Sequence, residues 1–76
     1  MTNTVLLRKK IESMGIKLTF VAERLGISKQ ALDRKLKDGT DFKAYQMIIL
    51  KDLLRLSNKE ARDIFFAKDV EKISTN

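Results

Sequence analysis

Val21-Ala22-Glu23-Arg24-Leu25-Gly26-Ile27-Ser28-Lys29-Gln30-Ala31-Leu32 is the stretch that decides how this chain folds. With Leu18 just upstream, the apolar residues Leu18, Val21, Ala22 and Leu25 recur at i, i+3, i+4 and i+7, the period of a helix face and not of a strand. Gly26 stops that helix, because glycine adopts the left-handed backbone of a helix end without a Cβ clash. Ser28 then offers a hydroxyl to the first-turn N–H groups of a new helix. In that helix Leu32 and Leu36 face inward, while Lys29, Gln30, Asp33, Arg34 and Lys37 form a polar stripe on the other side. Ala22 allows close approach, and Ile27 anchors the second helix from beneath. The expectation is two short helices joined by a tight bend, the second showing a polar face outward.

The same logic extends in both directions. Between Thr4 and Met14 the residues Leu7, Ile11 and Met14 mark one face of a first helix, Arg8, Lys9 and Lys10 lie on its wetter sides, and Gly15 ends it. Asp38-Gly39-Thr40-Asp41 is the strongest turn signal. A fourth helix is predicted from about Lys43 to Leu56, with Tyr45, Ile49, Leu53 and Leu56 on one apolar face and Met47, Leu50 and Leu54 on a second. Ser57-Asn58-Lys59-Glu60 has the form of a capping box opening a fifth helix to about Phe66, whose Ala61, Ile64 and Phe65 close the core. The tail, residues 67–76, carries only Val70 and Ile73 as large apolar residues. The fold class expected is all-α: five helices in a single domain over residues 1–76, with a core of about 4–66 and no linker or repeat.

Composition narrows the function. At 76 residues one small core is the ceiling, which favours a binding module over an enzyme. The chain holds no His and no Cys, so the commonest general base, the usual zinc ligands and the thiol nucleophile are missing, and neither catalysis, a metal nor a cofactor is expected. No apolar run approaches the roughly 20 residues that span a bilayer, and no secretory leader is recognisable, so a cytoplasmic location is expected. Net charge is +6. Residues 1–43 hold ten bases against five acids, whereas residues 44–76 hold six against five, so the surplus lies around the second and third helices and suits a polyanionic partner. Charge alone fits a merely soluble surface equally well.

The stretch from Val21 to Leu32 resembles the Cro/C1-type helix-turn-helix family, also called the XRE family, found in phage repressors, small bacterial regulators and some antitoxins. A looser likeness runs from Leu7 to Phe66. The resemblance implies a five-helix, lambda-repressor-like fold whose third helix enters the major groove of double-stranded DNA, and a function as a sequence-specific transcriptional regulator. It transfers base reading to Ser28, Lys29, Gln30, Asp33 and Arg34. Side-chain chemistry agrees: Gln30 can pair with adenine in bidentate fashion, and Arg34 or Lys29 with guanine. Asp33 either accepts from cytosine or orients Lys29 or Lys37 one turn away, the reading favoured here. The resemblance places phosphate contacts at Lys17, Thr19, Lys37, Thr40 and Lys43, which position the protein without reading sequence. It also implies a homodimer on an inverted-repeat operator, for which Met47, Leu50, Leu54, Phe65, Phe66 and Val70 are the candidate interface residues, although cover by the fifth helix is the favoured reading of Met47, Leu50 and Leu54.

Three positions depart from the pattern. Lys17 stands where the family commonly caps the second helix with Ser or Thr, leaving Thr19 to cap one turn later. Leu18 stands where a Gln often touches phosphate. Lys35 occupies a position that is often apolar, so it must snorkel or point to DNA. Two rival readings stay open: a protein-interaction module, such as an antitoxin or phage accessory protein, and an architectural factor that bends DNA.

Overall fold

Every helix that the glycine spacing marks off ends on a left-handed residue. In the computed structural model, which describes residues 2–67, the chain forms α1 (Thr4–Ser13), α2 (Leu18–Leu25), α3 (Lys29–Asp38), α4 (Ala44–Leu53) and α5 (Asn58–Phe65), and all regular structure among the described residues is helical. Val70 and Ile73 lie outside that range. Gly26 follows α2 at φ +73°, its N–H donating to the Glu23 carbonyl and the Ile27 N–H to the Ala22 carbonyl, the paired bonds of a Schellman cap. Gly15 ends α1 with the same two bonds, to Glu12 and Ile11.

The fourth predicted helix is shorter than expected. Arg55 takes the left-handed conformation at φ +53°, donates to the Asp52 carbonyl and lets Leu56 donate to Lys51, so α4 stops as α1 and α2 do, without a glycine. No glycine signal marked that end.

The helices bury one core. Leu7 and Ile11 of α1, Val21, Ala22 and Leu25 of α2, Leu32 and Leu36 of α3, Leu50 and Leu54 at α4, and Ile64 and Phe65 of α5 are all at most 4% exposed. Ile16, Leu18, Ile27, Met47, Ile49, Leu53 and Ala61 pack around them. Two core members escaped the sequence reading. Phe42, 3% exposed, leads the chain from the α3–α4 loop into the core and meets Phe65 edge-on, with ring centroids 6.3 Å apart. Gln46 is buried on α4, and its Oε1 accepts the Lys43 N–H at 2.9 Å, which offsets the cost of burying the amide and caps the helix start from within.

Some apolar residues lie elsewhere than expected. Leu50, Leu54 and Phe65, proposed as interface residues, are buried inside the protomer and cannot meet a partner; residues 46, 50 and 54 form the stripe of α4 that points inward. Met47 is half-buried, Phe66 is exposed, and Val70 lies outside the described residues. Met14 and Tyr45 are exposed, Tyr45 because it falls on the side of α4 away from that stripe.

Polar contacts tie the ends together. The Asn3 N–H donates to the Ile64 carbonyl at 2.6 Å, while the Thr2 N–H donates to Asp41 Oδ1 at 3.0 Å, linking the start of the described chain to both α5 and the α3–α4 loop. Glu60 links two elements with one carboxylate: Oε1 accepts the Ser57 N–H at 3.0 Å, completing the capping box, and Oε2 pairs with Lys10 Nζ of α1 at 3.1 Å. The backbone bond from Ser57 and then the Lys10 ammonium hold this carboxyl below its ordinary range. Its contribution to stability is therefore present above the unfolded carboxyl value and disappears as pH falls through the lower folded value. Glu60→Gln should flatten the acid side of the thermal-stability profile while leaving its shape above neutrality intact. Parallel acid limbs in both proteins would count against this role.

Candidate nucleic-acid interface

Between α2 and α3 lie only residues 26–28, and their backbone is fully directed. The left-handed Gly26 turns the chain, and Ser28, extended at ψ 160°, caps α3 by accepting the Ala31 N–H on Oγ at 3.1 Å. Leu32 and Leu36 are then driven into the core, so the opposite side of α3 must face water. Ser28, Lys29, Gln30 and Arg34 are all exposed, and Asp33 is partly so. Gln30, Arg34 and Lys37 follow at i, i+4 and i+7, one line along the helix; Lys29 and Asp33 form the adjacent line.

Asp33 pairs within its own helix. Its Oδ2 accepts from Lys29 Nζ at 2.9 Å, an i,i+4 pair on the surface. Such a pair adds little stability, typically about 0.3–0.5 kcal/mol, but it restricts where the Lys29 ammonium points. Gln30 and Arg34, on the neighbouring line, are both exposed.

The residues proposed for phosphate contact flank α3 on both sides in sequence. Lys17 and Thr19 are exposed at the start of α2, and Lys37, Thr40 and Lys43 are exposed at the end of α3 and in the following loop. Thr19 is not a cap: α2 begins at Leu18, the Lys17 carbonyl accepts from Phe20 and Val21, and no side chain caps the helix. Lysine has no acceptor to offer there. Lys35 snorkels. Its stem is half-buried, and its ammonium stands 5.4 Å from the centroid of the Phe42 ring and 3.5 Å from the Asp41 carbonyl, which draws it toward the loop.

One exposed aromatic was assigned no role from the sequence. Phe20 stands outward on α2 with the Arg24 guanidinium 6.0 Å from its ring centroid. Its place on the wet side of α2 follows from the Leu18, Val21, Ala22, Leu25 period, which leaves position 20 opposite the core. Among the described residues no cluster of acidic, His or Cys side chains could hold a metal, and no helix is long and apolar enough to cross a membrane. Comparison with known proteins finds no matching family model, no matching curated protein and no matching solved structure.

Proposed function

We propose that this chain is a sequence-specific DNA-binding protein of the repressor type, reading the major groove with α3. The observation that carries the reading is the split of α3 into an inward Leu32–Leu36 edge and an outward line holding Gln30 and Arg34 one turn apart, with Lys29 oriented beside them by Asp33. A helix fits the major groove of B-form DNA, where amide and guanidinium side chains distinguish adenine and guanine by paired hydrogen bonds. The net charge of +6, concentrated in the first 43 residues, supplies the long-range attraction. Lys17, Thr19, Lys37, Thr40 and Lys43 are the positioning contacts in this reading, and the resemblance to Cro/C1-type regulators extends it to a two-fold pair on an inverted repeat. Catalysis forms no part of it.

Selection of bound duplexes from a random pool tests the proposal. A single enriched site, with affinity that falls steeply with salt, is the expected result. Retention of no duplex above background at low salt would dismiss it in favour of a protein-interaction role.

A further inference from the structure

The outward side of α4 carries an apolar residue that nothing in the protomer covers. Ile48 is 69% exposed, the largest value among the exposed large hydrophobic residues described. Because residues 46 and 50 point inward, the opposite line of α4 runs through Ala44, Tyr45, Ile48 and Asp52, and all four are exposed. Beside Ile48 the surface dips into an open depression lined by Ile48, Lys51, Asp52, Arg55 and Leu56.

We infer that this ridge is the surface on which two copies of the chain pair, α4 against α4 in antiparallel fashion about a two-fold axis at Ile48. The pattern is self-complementary. An antiparallel pair centred on residue 48 sets Ile48 against Ile48 of the second copy and brings position 45 level with position 51 across the axis. Tyr45 of each copy then lies beside Ile48 of the other, at the Asp52 edge of its depression. Positions 45 and 52 are seven residues apart, two turns, so they share one flank of the helix. A two-fold rotation keeps that flank on the same side, which puts the Tyr45 phenol next to the Asp52 carboxylate of the second copy. Donor meets acceptor twice, once on each side of the isoleucine contact. An unrelated partner would have to present this same spacing of apolar residue, donor and acceptor; a second copy has it by construction.

The pairing does not depend on the DNA reading. It moves the dimer surface from Leu50, Leu54 and Phe65, which are buried, to the outward side of α4. One helix pair forms a small interface, so a weak, concentration-dependent dimer is expected.

Sedimentation of the full chain over a concentration series, without DNA, is the test. Ile48→Glu should abolish the dimer and leave thermal unfolding of the dilute protein unchanged, since position 48 makes no core contact. Tyr45→Phe and Asp52→Ala should each weaken dimerisation at least about tenfold, the usual effect of losing a hydrogen bond to a charged group, and the double variant should lose no more than either alone. The chain has no Cys, so Ile48→Cys should cross-link to a covalent dimer on mild oxidation far faster than Val5→Cys, an equally exposed position on α1. A chain that stays monomeric to millimolar concentration overturns the inference. So does a dimer that survives Ile48→Glu, a pair of independent additive losses at Tyr45 and Asp52, or equal cross-linking rates at positions 48 and 5.

Discussion

Leu32→Ala is expected to lower the free energy of unfolding by about 2–5 kcal/mol, the range for deleting a buried leucine side chain. Leu32 is fully buried and belongs to the helix on which the proposed function rests. Its side chain joins α3 to a core that also contains Val21 and Leu25 of α2. Removing it takes away apolar contacts and leaves a void that this small core can only partly close. A domain of this length has a total stability of about 4–11 kcal/mol, so the loss is a large share of it. The melting temperature should fall by roughly 8–40 °C, given the shift of about 4–8 °C per kcal/mol usual at this size. Urea unfolding followed by helical circular dichroism measures the change. A loss below about 1 kcal/mol would show that Leu32 is not the anchor described here.

The second large effect concerns binding alone. Replacing Gln30 and Arg34 together by Ala should remove discrimination of about 1–3 kcal/mol at each base pair they read, reducing the preferred site toward the affinity of random duplex. Both residues are exposed, so folding stability should change by no more than about 0.5 kcal/mol. Lys37→Ala should behave differently, weakening all duplexes alike and lowering the salt slope by about one. Titration of wild type and variants against the selected site and a scrambled one, at several salt concentrations, separates the two classes. If the Gln30/Arg34 variant weakened both duplexes equally, those side chains would be phosphate contacts and the reading positions would lie elsewhere on α3.

The parts of the fold legible beforehand were those where a local rule acts alone. The helix period located α1, α2 and the inner edge of α3, the glycines at positions 15 and 26 marked helix ends, and Ser28 and the Ser57–Glu60 box marked beginnings, each a matter of one turn of backbone. What stayed hidden does not follow from a helix period. Phe42 joins the core from a loop and meets Phe65, distant in sequence, and Gln46 is a polar residue at a buried position whose Oε1 is satisfied by the Lys43 amide. The long apolar run of α4 offered two faces by period, and choosing between them required knowing which side the other helices cover. Period alone left Leu50 and Leu54 open to either a cover by the fifth helix or a partner, and it gave Ile48 no role. For the candidate site, the residues of α3 could be named in advance because two leucines define its hidden side, whereas the Lys29–Asp33 pairing was one of two alternatives that only coordinates separate.

Gly15, Gly26 and Gly39 all have φ near +70°, and a methyl group built on any of them would meet nothing within 4 Å. Handedness is thus the sole objection to a side chain at these corners, and that objection has a mirror image. A D-alanine introduced by chemical synthesis at position 26 is at ease where its L counterpart is strained, and it narrows the choices open to the unfolded chain. The bend that aims α3 could in this way be stiffened with no atom of the interior disturbed.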